Sequence, residues 1–260
     1  MYDFPSTARA QDIVWKAIAA RLDAAGLPAP EGLTRGVDLE PVPTSAEWLF
    51  AQTCGYPFIS GLHRRMTLVA TPIYDFPGCA GARHCSFVVV NKADPRQALA
   101  EFRGARAVIN GRDSNSGMNL FRAMIAPLAG GKPFFADVAI SGAHAASLHA
   151  VAAGEADLAS IDCVTFALMA RERPELIDRL RVVAKSALSP GLPFVICSAL
   201  AASHLATLRH ALVEVLADPD LAPARAALGL AGAQILQVAD YDRVAQFERD
   251  AIGAGYPVLA

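Results

Sequence analysis

Asp113-Ser114-Asn115-Ser116-Gly117-Met118-Asn119 is the stretch on which the reading of this chain turns. Ahead of it, Arg106-Ala107-Val108-Ile109-Asn110 is a short apolar run that reads as a buried strand. Behind it, Leu120, Phe121, Met124, Ile125 and Leu128 recur at helical spacing. The polar cluster therefore sits at a strand-to-helix turn. Asp, Ser and Asn cap helices, because their side-chain oxygens accept the unpaired N–H groups of the first turn. The same N–H groups, at the positive end of the helix dipole, also attract anions. Plain capping is the commoner use of such a cluster, so the rest of the chain has to decide between the two.

Outward from this turn, strand and helix patterns alternate. Upstream, Ser6 or Thr7 opens a helix to about Ala25, with Ile13, Val14, Ala17, Ile18 and Leu22 on one face and Gly26 and Pro28 after it. Val37-Asp38-Leu39 reads as a short strand. Thr44-Ser45-Ala46-Glu47 has capping-box spacing ahead of a helix carrying Trp48, Leu49 and Phe50. Gln52-Thr53-Cys54-Gly55-Tyr56-Pro57 reads as a turn. Met66 to Ile73 and Ser86 to Asn91 are strands, and Asp94-Pro95 opens a helix to about Phe102.

Downstream, Phe135 to Ile140 is a strand leading to the turn Ser141-Gly142-Ala143-His144 and a helix ending at Gly154. Asp157 to Ile161 is a strand leading to Asp162, which opens a helix to about Arg171. Strands follow at Leu180 to Lys185, Phe194 to Cys197 and Gln234 to Val238. Helices follow from Ser203 to Ala217, Pro219 to Leu228 and Tyr241 to Ile252. The alternation predicts an α/β fold with mostly parallel sheets flanked by helices. In open α/β sheets, ligands lie beyond the carboxyl ends of strands, where the turns at Ser114, His144 and Asp162 all fall; Ser189 joins them if the connection after Lys185 folds back.

Composition narrows the function classes. The chain has 260 residues, 53% hydrophobic and 18% charged, with net charge -2, so it can bury a large core. No basic stripe points to nucleic acid. No apolar run reaches the roughly 20 residues of a membrane span. The five cysteines, Cys54, Cys79, Cys85, Cys163 and Cys197, form no C-x-x-C pair and stand near no histidine at zinc spacing, so neither metal nor cofactor is expected. Free thiols are the favoured state, although Cys79 and Cys85 are near enough in sequence to pair. The start carries no signal-peptide pattern, which predicts a cytoplasmic location as given, or a periplasmic one if the N-terminus is truncated.

Four segments resemble one family: Thr53-Cys54-Gly55-Tyr56-Pro57, Asp113 to Gly117, Ser141 to His144, and Gly154-Glu155-Ala156-Asp157-Leu158-Ala159-Ser160-Ile161-Asp162. The family is that of the substrate-binding proteins of phosphate, phosphite and phosphonate ABC transporters, with the type 2 periplasmic-binding-protein fold. The resemblance spans nearly the whole chain. It implies two lobes, 1–78 with 190–260 and 85–185, joined by two crossing hinge segments at 79–84 and 186–189. It implies an interlobe site for a small phosphorus oxyanion, with Ser114, Asn115, Ser116 and Gly117 holding phosphoryl oxygens. His144 is implied as a further ligand, Asp162 as acceptor for a P–OH or amine, and Thr53 and Tyr56 as the first lobe's contribution. The implied protein is a binder, not an enzyme, serving an ABC transporter permease or acting as a sensor.

An enzyme remains the alternative. Ser116, His144 and Asp162 are the residue types of a hydrolase triad, but no G-x-S-x-G elbow surrounds either serine. The same fold also hosts cytoplasmic enzymes acting on small carboxylates of the chorismate or prephenate type.

Overall fold

The computed structural model describes residues 2–36 and 49–260. In chain order the elements are α1 (Pro5–Ala24), β1 (Ala51–Gln52), α2 (Gly55–Ser60), β2 (Met66–Tyr74), β3 (Cys79–Ala80), β4 (Arg83–His84), β5 (Ser86–Asn91), β6 (Arg106–Ile109) and α3 (Leu120–Ala129). They continue with β7 (Asp137–Ile140), α4 (His144–Ala153), β8 (Leu158–Asp162), α5 (Cys163–Glu172), α6 (Pro174–Ile177), β9 (Leu180–Lys185) and β10 (Ser189–Pro190). The last are β11 (Phe194–Cys197), α7 (Ser198–Ala217), α8 (Ala222–Leu228), β12 (Leu230–Gln234) and α9 (Asp242–Gly253). The strand expected at Val37 to Leu39 and the capping box at Thr44 to Glu47 lie outside the described residues.

Two compact units divide the chain: Met1–Asp75 with Gly191–Asp240, and Phe76–Pro190 with Tyr241–Ala260. The first has a four-stranded sheet, β1-β11-β2-β12, antiparallel at every pairing. Val14, Trp15, Ile18 and Leu22 of α1 pack with Leu208, Leu212 and Val215 of α7 against Val69 and Ile196 of that sheet. Ile13, expected on the buried face, is exposed. The helix starts at Pro5, ahead of Ser6, because proline has no N–H to leave unpaired in the first turn. Thr7 instead turns its hydroxyl oxygen back to accept from Phe4 N at 3.0 Å.

The second unit has a five-stranded sheet ordered β7-β6-β8-β5-β9. β6 runs parallel to β7 and β8, whereas β5 runs antiparallel to β8 and β9. The expectation of mostly parallel sheets is therefore corrected to one mixed sheet and two antiparallel ones among the described residues, the second being the small β10-β4-β3 sheet. Val88, Val89 and Val90 of β5 are fully buried, as a strand covered on both faces must be.

The C-terminus departs from the expected lobes. Residues 241–260 belong to the second unit, because polar ties hold them there. Asn119 Nδ2 donates to Val244 O at 2.9 Å, Arg122 Nη1 to Pro257 O at 2.8 Å, and Phe134 N and Phe135 N both donate to Ala260 O.

Four local expectations are also revised. Asp94 caps no helix through Phe102; its carboxylate accepts from Arg96 N and pairs with the Arg96 guanidinium, and only a 3-10 turn forms at Leu99–Phe102. Helix α7 begins at Ser198, leaving Ser203 inside it. Strand β12 precedes the run expected at Gln234 to Val238. The stretch Gly55 to Pro57 is helical, and Thr53 before it is buried.

Candidate functional site

Three adjacent parallel strands of the second unit, β7, β6 and β8, send their carboxyl ends to one edge of the sheet. Ile109 and Ile140 are paired in register, and Ser141 N donates to Ile109 O at 2.9 Å. The turns that follow carry Ser114–Gly117, His144 and Asp162. Antiparallel β5 begins at that edge, with Ser86 opposite Asp162. Short strand ends followed directly by polar turns thus gather residues 18 to 76 positions apart.

The central turn is a π-turn, Asn115–Asn119, running into α3. Asn119 N donates to Ser114 O at 3.0 Å, the i to i+5 bond that defines it. Ser114 realises the capping reading, its Oγ accepting from Gly117 N at 2.9 Å. Asn115 is committed to structure as well: its Nδ2 donates to Ser189 Oγ at 2.9 Å, and its Oδ1 accepts from Asn119 Nδ2. The segment after Lys185 does fold back to this turn. Ser86 Oγ at 3.0 Å and Ser160 Oγ at 2.7 Å both donate to Ser116 O, fixing the turn to the sheet.

Ser116 Oγ lies 2.8 Å from His144 Nε2, and the same nitrogen lies 3.7 Å from Asp162 Oδ2. Asp162 also caps α5, its Oδ1 accepting from Val164 N and Thr165 N. The Asp162 carboxylate selects the tautomer: a lone pair on Nε2 would face that negative charge, so Nε2 carries the proton and donates toward Ser116 Oγ. The Ser116 O–H is then available to donate elsewhere. His144 Nδ1 is buried without a partner. A hydrolase triad places serine and carboxylate on opposite ring nitrogens. Here both face Nε2, so the wiring of a proton relay is absent from this arrangement.

Gly117 matters for close approach by side chains. A β-carbon there would lie 1.8 Å from Asn110 Oδ1 and 3.1 Å from His144 Cε1. Arg112, next to the turn, is exposed. Thr53 and Tyr56 belong to the first unit, where Thr53 N donates to Pro193 O at 3.1 Å and Tyr56 lies in α2.

Sequence reasoning missed His84, Ser86 and Ser160. His84 is buried in β4 with its Nε2 unpartnered. Burial holds its pKa below the ordinary histidine value, opposed by nearby Asp162 and reinforced by His144. Burial likewise lowers the pKa of His144, with Asp162 opposing. A serine inside an apolar strand, as at Ser160, is the one signal that the sequence offered for this group.

The two histidines predict a pH dependence. Their folded-state pKa values lie below the unfolded value of about 6.5, so below that pH the unfolded chain binds more protons. Stability is therefore expected to fall as pH drops below about 6.5, by at most about 1.4 kcal/mol per pH unit for each histidine. Urea titrations from pH 8 to 5 check this, and His84→Asn should flatten the slope. An unchanged slope in that variant would show His84 to be solvated.

A family model described as "ABC transporter, phosphonate, periplasmic substrate-binding protein" matches residues 50–241. The chain belongs to this family. All four segments singled out in the sequence fall within the matched range. A binding-protein component of an ABC phosphonate transporter from Pseudomonas aeruginosa has the same fold, with TM-score 0.74, 17% identity and coverage of 95% of this chain and 83% of that one. PhnD1 from Prochlorococcus marinus, in complex with methylphosphonate, has TM-score 0.74 at 11% identity, covering 93% of each chain. A Xanthomonas citri protein bound to ATP has TM-score 0.69 at 15% identity, covering 96% and 94%. No curated protein matches the sequence. The fold is thus the α/β fold of type 2 periplasmic binding proteins. Among the described residues, no helix is long and apolar enough to cross a membrane, and no group of three potential ligands is placed to hold a metal ion.

Proposed function

We propose that this phosphonate-family chain captures a small phosphorus oxyanion, whether phosphate, phosphite or a phosphonate, and delivers it to an ABC permease or reports it as a sensor. The observation that supports this reading is the meeting of Ser116, His144 and Asp162 at three adjacent strand ends, beside the start of a helix. The Ser116 O–H and the first-turn N–H groups at Asn115 and Ser116 are the donors we assign to the phosphoryl oxygens. His144, oriented by Asp162, holds Ser116 Oγ as an acceptor, which leaves its proton for the ligand. A P–OH or an amine on the ligand is the donor we assign to Asp162. Binding without turnover is the reading that the shared use of Nε2 favours.

A thermal-shift screen over phosphate, phosphite, methylphosphonate, aminoethylphosphonate, sulfate, ATP and small carboxylates tests the ligand class, because a ligand of the native state raises the melting temperature. A phosphorus oxyanion should give the largest shift; a shift with carboxylates alone would favour the enzyme alternative. Phosphorus NMR should show the ligand unchanged after incubation. Ser116→Ala should weaken binding by about 2 kcal/mol, roughly thirtyfold in Kd, as loss of a charge-assisted hydrogen bond does. Calorimetry with equal affinities in the variant and the parent would remove Ser116 from the site. Thr53→Ala and Tyr56→Phe test the first unit's candidates in the same assay.

A further inference from the structure

Three of the five thiols converge in the second unit. Cys79 Sγ lies 3.5 Å from Cys163 Sγ. Cys163 N donates to Cys85 O at 3.1 Å, one position beyond the Ser86 and Asp162 pair, so Cys85 and Cys163 are also neighbours. Gly78, at φ +96°, lets the chain fold tightly over this group: a β-carbon there would lie 2.8 Å from Cys163 Cβ and 2.9 Å from Cys85 Sγ. Cys79 is half-buried, whereas Cys85 and Cys163 are buried. The Cys163 S–H stabilises a thiolate on Cys79 and lowers its pKa. The contact with Cys79 pushes Cys163 up, and the contact with Cys163 pushes Cys85 up, burial adding to each. The cluster thus holds one reactive thiol beside a resolving partner. None of the three takes part in the oxyanion reading.

We infer that Cys79 and Cys163 form an oxidation site for a small-molecule disulfide, coupled to His84 and Asp162. The Cys79 thiolate attacks one sulfur of the small disulfide, forming a mixed disulfide and releasing one thiolate. Cys163 then attacks the Cys79 sulfur, expelling the second thiolate, which takes up the Cys163 proton as it leaves. Two protein thiols are oxidised and one small disulfide is reduced to two thiols. The coupling follows from connectivity. Cys163 directly follows Asp162, and Cys79 is paired in register with His84. A bond between the two sulfurs ties the β3–β4 hairpin to the start of α5 and displaces both groups. Only the functional meaning of that displacement rests on the oxyanion reading.

The test treats the reduced full chain with oxidised glutathione and reads the intact mass and the peptide map. The expected result is loss of two hydrogens with a link between Cys79 and Cys163. Cys85→Ser should retain the link, Cys79→Ser should abolish it, and Cys163→Ser should trap a glutathione adduct on Cys79. The imidazole resonances of His84 and His144 should shift on oxidation and return with dithiothreitol. An unchanged mass, a lasting adduct on the parent protein, or a link through another cysteine overturns the pair. Unmoved imidazole resonances overturn the coupling. Neither readout involves an oxyanion, so failure of the binding reading would be seen separately in the calorimetry.

Discussion

Gly117→Ala is expected to lower stability by about 1–3 kcal/mol and to reduce oxyanion affinity at least tenfold, the stability cost being that of an added methyl in a packed site. The new methyl would stand 1.8 Å from Asn110 Oδ1 and 3.1 Å from His144 Cε1. The backbone has little freedom to retreat. Ser116 O is held by Ser86 and Ser160, and Gly117 N is held by Ser114 Oγ. Asn110 and the His144 ring must therefore move, and the ring carries the nitrogen that orients Ser116. Asn110 Oδ1 is buried without a partner, so removing it costs little. Asn110→Ala in the Gly117→Ala background should accordingly recover most of the lost stability. A double-mutant cycle by urea unfolding checks this, and purely additive effects would refute the contact.

Arg122→Ala should be the most destabilising single change considered, by about 3 kcal/mol, since it breaks a buried charged network. Arg122 is 5% exposed, and it spans three partners. Nη1 donates to Pro257 O and Nη2 to Asn119 Oδ1, and Glu248 Oε1 lies 3.3 Å from Nη2. The substitution orphans the Asn119 and Pro257 acceptors and opens a hollow where the stem packed. Its reach extends to the site, because Asn119 Nδ2 bonds both Asn115 Oδ1 and Val244 O. Limited proteolysis should cut the variant first within residues 242–260. Cleavage unchanged from the parent, with the same urea midpoint, would show that the C-terminal segment is held without Arg122.

The parts of this structure that were legible in the sequence are the local ones. Asp162 reads as a cap and is one. Gly154 reads as a helix stop and takes the left-handed conformation at φ +78°. The run Ser86 to Asn91 reads as a buried strand because three valines leave no polar face. Ser114 and Ser116 read as a strand-to-helix turn for the same local reason. Pairing partners were not legible: nothing in Met66 to Tyr74 says that β11 and β12, more than a hundred residues later, run antiparallel beside it. Asp94-Pro95 misled, because Arg96 offers the carboxylate a nearer partner than a helix start does. Ser86 and His84 acquire their surroundings from residues as far as 105 positions away, and no spacing rule encodes that. The place of the C-terminal helix in the second unit is not written locally either, because its anchor, Arg122, looks like any arginine on a helix.

The most direct test of the site is a titration of the full chain with methylphosphonate, followed at the imidazole resonances of His144. An oxyanion site at Ser116 requires saturable shifts at His144 that weaken in Ser116→Ala and are absent with sodium chloride alone. Saturable binding by calorimetry with the His144 resonances unmoved would contradict it.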